Sequence, residues 1–256
     1  MPKKPNRVKP HPHDKGEPLI EELVELIEHR YILSKKTAAA LHTAKAAKAV
    51  RATVEVGATR SLSRHDVLCE LVDWLYHVES GVEAVFACAL FKLVRLRDPE
   101  YVRLVDELEA QYAGLGMDGR VGLFKVCNQL PPIDNSRYRC DFWILFLCTL
   151  SHPNGDPGTI VDYWVDVYVE CDSFHTHGDV VRVAADDRRT RQIAIEKIKE
   201  GSTRIAPIRF SEHEIMRDGR GCALELIRIA LSMMPDEKTV VAQRIRSTEL
   251  RGPASY

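Results

Sequence analysis

Apolar residues recur at helical spacing from Glu17 to about Arg30, at Leu19, Ile20, Leu23, Val24 and Ile27, and predict an amphipathic helix. A second, alanine-rich helix is expected from Ser34 to about Glu55, with Gly57 ending it. Ser63-Arg-His-Asp66 reads as a cap opening a helix that carries Val67, Leu71, Trp74, Leu75 and Val78 on one side. Ser80-Gly-Val-Glu83 has the form of a capping box and starts a helix to about Arg97; another covers Pro99 to Tyr112. Gly114, Gly116 and Gly119 then mark a loop, and the pattern turns strand-like. Strands are expected over Val121–Cys127, Arg137–Leu147 and Ile160–Cys171, with the turn-rich stretch 151–159 between the last two. A charged helix over 179–200 ends at Gly201, and a fourth strand runs from Ser202 to Phe210. Ser211-Glu-His-Glu214 is another capping box, and the helix it opens is interrupted at Asp218-Gly-Arg-Gly221 before it ends near Met234.

Three consecutive strands on short connections suggest a meander, and a helix between the third and fourth suggests a crossover to a parallel neighbour. The expectation is an α/β fold, a mixed sheet flanked by helices and preceded by a helical arm. Its divisions are a disordered basic tail (1–16), a helical N-terminal region (17–79), the α/β domain (80–235) and a polar C-terminal tail (236–256).

Composition narrows the class. No run of 18 or more apolar residues exists, so no membrane span is expected. The basic start lacks the apolar stretch of a secretory signal. Seven cysteines, an odd number without a C-x-x-C, suggest neither a disulfide framework nor a zinc module, and point to a reducing cytoplasm. The net charge of −1 hides an asymmetry: residues 1–64 carry thirteen Lys/Arg against seven Asp/Glu, and the remainder is acidic. A basic arm on an acidic body fits nucleic-acid contact and fits a solubilising tail equally well. Lys45, Lys48 and Arg51, at i, i+3 and i+6, are a candidate phosphate-facing edge; a solvated helix face is the plainer reading.

The acids in the strands carry the candidate chemistry. In the third strand Val165, Val167, Val169 and Cys171 share one face; Trp164, Asp166, Tyr168, Glu170 and Asp172 share the other. Asp141 is the sole acid in the apolar and aromatic run of the second strand, and its desolvation requires compensation. Arg137, Arg139, Arg188, Arg189 or Arg209 can supply it, and so can a divalent cation shared with Glu170, for which hard oxygen ligands suit Mg²⁺ or Mn²⁺. Spacing alone leaves both open. Cys140 and Cys171 read as small buried residues.

Four segments in order, Arg137-Tyr-Arg-Cys-Asp-Phe142, Val167-Tyr-Val-Glu-Cys-Asp-Ser-Phe-His175, Asp187-Arg-Arg-Thr-Arg-Gln192 and Ile208-Arg-Phe-Ser-Glu-His-Glu-Ile215, together resemble the PD-(D/E)xK nuclease superfamily. The resemblance covers about residues 80–235 and is greatest to domains of the very-short-patch-repair endonuclease type. It implies a restriction-endonuclease-like fold and metal-dependent hydrolysis of phosphodiesters in DNA. By the same resemblance Asp141, Glu170 and the carbonyl of Cys171 hold the metal. Asp172 holds a second ion or orients water, with a strand-end carboxylate bonded to loop amides as the alternative. His175 acts as general base or phosphate contact, and Glu83 on the first helix is a further site acid, unless it serves only its cap. Gln129 is a weaker site candidate, and His177 reads as a loop histidine. Arg188, Arg189 and Arg191 are candidate backbone contacts for nucleic acid or partners for Asp186 and Asp187. The chain departs from the family pattern where the motif lysine is Asp172 and the following glycine is Ser173. That departure keeps open a binding-only version of the fold. An unrelated α/β protein whose acids pair with arginines is a third reading. The N-terminal helices fit a dimerisation element, a DNA-binding arm or a contact for another protein.

Overall fold

The structure, a computed structural model, describes residues 18–128, 140–151, 160–172 and 205–241. Six helices come first: α1 (Pro18–Arg30), α2 (Lys35–Leu41), α3 (Ala44–Thr59), α4 (Arg64–Leu75), α5 (Gly81–Val94) and α6 (Pro99–Gly114). Strands β1 (Asp118–Asn128), β2 (Phe142–Ser151), β3 (Val161–Asp172) and β4 (Ile205–Ser211) follow, and α7 (Glu212–Ser232) comes last. The charged helix expected over 179–200 and the tail 1–16 lie outside the described residues.

Local chemistry accounts for the boundaries. Ser63 caps α4, with its hydroxyl on the Asp66 N–H and the Asp66 carboxylate returning to the Ser63 N–H, a complete capping box. Ser211 and Glu214 make the same box at the start of α7. The alanine-rich helix expected to be continuous is two. Thr43 leaves helical geometry, caps the Ala46 N–H and bonds the Ala40 carbonyl, because the turn must accommodate the start of α5. A Cβ at Gly81 would sit 2.4 Å from the Thr43 hydroxyl oxygen. The expected break in α7 is present: Asp218 has φ −151° and ψ 70°, and its carboxylate caps the Gly221 N–H. Residues 237–241, expected within a loose tail, form a helical turn capped by Asp236, and Val240 is fully buried.

The Ser211 box gives a pH-dependent expectation. The Ser211 hydroxyl, and then its backbone N–H, hold the Glu214 carboxyl below the usual glutamate range. A carboxyl lowered in the folded state stabilises fully above its unfolded pKa and loses that contribution as pH falls through the lowered value. Ser211→Ala is expected to cost about 1 kcal/mol at neutral pH. Thermal denaturation at a series of pH values should show the gap to the parent narrowing below the carboxylate range.

The sheet has the order β1-β2-β3-β4, with β1–β2 and β2–β3 antiparallel and β4 parallel to β3, as the meander and crossover require. Phe124 bulges out of β1 between Leu123 and Lys125. β2 is later than expected: its ladder starts at Phe142 and runs to Ser151 in strict alternation, with Phe142, Ile144, Phe146, Cys148 and Leu150 buried. Asp141 is a bend residue just ahead of it.

One continuous cluster of buried residues includes α1–α5, the inner face of the sheet and α7. Its axis is α5, which is buried on most of its circumference. Phe86 meets Phe142 at 5.4 Å and Phe210 at 5.7 Å between ring centroids, joining the helix to β2 and β4. Trp74 of α4 meets Phe91 edge-on. Gly57 does not end its helix. It is buried inside α3 where α4 crosses, and a Cβ there would come within 2.3 Å of Val67 Cγ2. Glycine is required by the close approach of two helices, so Gly57→Ala should destabilise by about 1–3 kcal/mol despite the better helix former. A urea midpoint equal to or above the parent's would refute the tight crossing.

Candidate functional site

Two of the acids singled out in sequence, Asp141 and Glu170, lie at one end of the sheet, where β2 begins and β3 and β4 end. Phe142 pairs with Val169, so Asp141 falls across from Glu170. Phe142 and Val169 turn into the core, and alternation along β3 puts Glu170 on the opposite face. Asp141 is half-buried, and its Oδ2 accepts the backbone N–H of Cys171 at 2.6 Å. A charge-assisted bond of this length ties the bend before β2 to the end of β3.

Glu170 pairs in parallel register with Arg209, and the Arg209 Nη2 donates to Glu170 Oε2 at 2.8 Å. The glutamate side chain is 16% exposed and the arginine 28%. Arg209 was one of five arginines eligible to compensate Asp141; among the described contacts its partner is Glu170. Cys171 turns its side chain into the core, as its alternation requires, and meets the site through its backbone. Cys140 is likewise buried. The backbone of Asp172 pairs with Ser211 at the end of β4; its carboxylate lies outside the described residues.

Glu83 sits in the first turn of α5 and is 5% exposed. Ser80 caps its N–H as expected, but the expected box is only half formed. Glu83 Oε2 accepts the Glu79 N–H at 2.8 Å, one residue upstream of the cap. One turn further along, Phe86 touches Phe142 and Phe210, which adjoin Asp141 and Arg209. Glu83 therefore belongs to the helix side of the sheet, whereas Glu170 and Arg209 occupy the other. Gln129, His175, His177, Arg188, Arg189 and Arg191 lie outside the described residues.

The outer face also holds a polar pair that sequence reasoning did not single out. Asp166, mid-β3, is 8% exposed and accepts Trp143 Nε1 at 2.7 Å. Lys125 lies over the Trp143 ring at 5.9 Å. The sequence placed Asp166 on this face, but its meeting with Trp143 depends on a register that places Leu145 opposite Asp166. On α3, Lys45 pairs with Glu212 at 2.5 Å, while Lys48 points to a groove beside α5 and α7 and Arg51 is exposed.

Carboxylates and a backbone carbonyl are in kind the donors a hard divalent ion takes. Among the described residues no group of three or more His, Cys, Asp or Glu gathers as a ready coordination shell. At least one oxygen of each of Asp141 and Glu170 is engaged, by the Cys171 N–H and by Arg209. An ion bound there would share these carboxylates with protein donors. Burial pushes the Cys88 thiol up to about 11, so that cysteine stays neutral and serves the core. Among the described residues no helix is long and apolar enough to cross a membrane. Compared with protein-family models, with curated proteins and with solved structures, the chain matches none.

Proposed function

We propose that the chain is a divalent-metal-dependent DNA endonuclease of restriction-endonuclease-like fold, acting in the cytoplasm. The observation that carries the reading is the meeting of Asp141 with the end of β3, directly across from Glu170. An acid just ahead of β2 and another at the end of β3 can share a cation that neither can hold alone. Asp141, Glu170 and the carbonyl of Cys171 would hold Mg²⁺ or Mn²⁺. Such an ion, when bound, lowers the pKa of a coordinated water and offsets charge on the phosphate.

The residues of the chain divide the remaining work. The Cys171 N–H fixes the Asp141 carboxylate so that its orientation does not have to be bought at each turnover. Arg209 pairs with Glu170 and would put a fixed positive charge near the bound phosphate, where the motif lysine is replaced by Asp172. Asp172 and His175 are the candidates for orienting water and accepting its proton. Arg188 and Arg189 are candidate contacts to the DNA backbone.

A second reading, a catalytically silent nucleic-acid-binding version of the fold, is favoured by one observation. Glu170 already has a guanidinium partner and needs no ion to be compensated. Supercoiled plasmid with Mg²⁺ or Mn²⁺, against EDTA and an Asp141→Ala control, separates the two. Metal-dependent nicking by the parent alone supports the nuclease; retardation of DNA without cleavage under every condition supports the binder.

A further inference from the structure

Helices α3, α5 and α7 leave a groove of about 440 Å³ between them, separate from the acids of the sheet. Its apolar lining is mostly small: Ala49 and Ala52 from α3, Val85 and Ala89 from α5 and Gly219 from α7, with Met216 of α7 beside them. Its other lining side chains include Lys45, Lys48, Lys92 and Arg220, and no acid, hydroxyl or amide side chain lines it. Lys45 is held by Glu212, and Arg220 by Asp98 and Glu100. Lys48 and Lys92 have no carboxylate within ion-pair distance among the described residues. The kink in α7 contributes by turning Asp218 onto the Gly221 N–H, so the residue that faces the groove there is Gly219. Met216 is 39% exposed, a large apolar side chain left to solvent at the groove's side.

We propose that this groove is the docking site for an acidic amphipathic helix of another protein. Alanine and glycine on the floor let a partner backbone approach closely, and the partner's apolar residues would cover Met216, Val85 and Ala89. The two uncompensated lysines select acids on the partner's flanks, which favours encounter and fixes orientation more than it adds affinity. Nucleic acid fits less well. Backbone phosphates are held by hydroxyl, amide and backbone N–H donors along with cations, and this groove offers alanine instead. The chain's own flanking segments fit no better. Residues 1–17 carry five Lys/Arg against Asp14 and Glu17, and residues 242–256 carry Arg244, Arg246 and Arg251 against Glu249. Like charge excludes them as the natural cover of a lysine-rimmed groove. The proposal does not depend on the nuclease reading.

The test is selection of random 16-residue peptides, displayed on phage, against the full-length protein. Enriched peptides should carry acids together with apolar residues at i, i+3 and i+4. Synthetic versions should lose affinity by about tenfold or more against the double variant Lys48→Glu, Lys92→Glu. A second variant, Ala52→Arg, blocks the floor without removing a cation and should abolish binding too; circular dichroism and melting temperature verify that both variants fold. Failure to enrich any peptide, peptides without acids, or affinity unchanged in both variants would overturn the proposal. So would a short DNA duplex that binds the parent and is lost in the same lysine variant, or self-association of the parent abolished by Ala52→Arg, since each gives the groove a different occupant.

Discussion

Glu170→Gln is expected to reduce metal-dependent plasmid nicking by on the order of 10³-fold while leaving the fold intact. The amide has the shape of the acid and its oxygen can still accept from Arg209 Nη2, so the contact between β3 and β4 survives in neutral form. What it loses is the negative charge, and a hard divalent ion bound by so few protein ligands depends on that charge. Arg209→Ala tests the same pair from the other side. It leaves a carboxylate that is mostly buried without its guanidinium, and should cost about 1–3 kcal/mol of stability. Added Mg²⁺ or Mn²⁺ should then raise the melting temperature of Arg209→Ala more than that of the parent, because the ion takes over the compensation. If Glu170 serves only a structural ion pair, Glu170→Gln will leave nicking unchanged, or there will be no nicking to measure, and neither ion will shift either melting curve.

Much of the framework was readable from side-chain patterning, because the patterns involved are local. The alternation in β3 separates Val165, Val167, Val169 and Cys171, all buried in the core, from Asp166, Tyr168 and Glu170, although Asp166 and Tyr168 are buried on the other face as well. Ser63 and Ser211 announce their helices through oxygens that bond amides three residues away. The misreadings are of another kind. Nothing in an alanine-rich window marks Thr43 as a break; the break answers to Gly81, thirty-eight residues on, which packs against the Thr43 hydroxyl. Gly57 has the look of a helix end, but it is a crossing point, and only the position of Val67 distinguishes the two.

The site shows the same division. That Asp141 and Glu170 fall at facing ends follows from two antiparallel strands with an acid near each end. That Arg209 takes Glu170 does not follow, since the parallel register pairs residues thirty-nine positions apart and no local signal sets it. Glu83 illustrates a near miss: S-x-x-E fits a capping box, yet burial of the first turn of α5 directs the carboxylate to the Glu79 N–H instead.

Phe86→Ala is expected to be the most destabilising of these substitutions, at about 3–5 kcal/mol. Phe86 is fully buried, and its ring is the shared neighbour of Phe142 at the start of β2 and Phe210 at the end of β4. Truncation removes the transfer free energy of the ring, opens a cavity between helix and sheet, and deletes two aromatic contacts together. Native domains are stable by only about 5–15 kcal/mol, so the loss is a large share of the total. Urea denaturation should show a lower midpoint with an unchanged slope, the mark of lost stability without a changed denatured state. Because Phe142 and Phe210 adjoin Asp141 and Arg209, the same variant should weaken nicking even under conditions where it remains folded, and Phe86→Leu, which refills most of the volume, should recover the greater part of both effects. A loss below about 1 kcal/mol for the alanine variant would mean that α5 does not anchor this end of the sheet. The alignment of Asp141 with the end of β3 would then have to come from the backbone hydrogen bond at Cys171 alone.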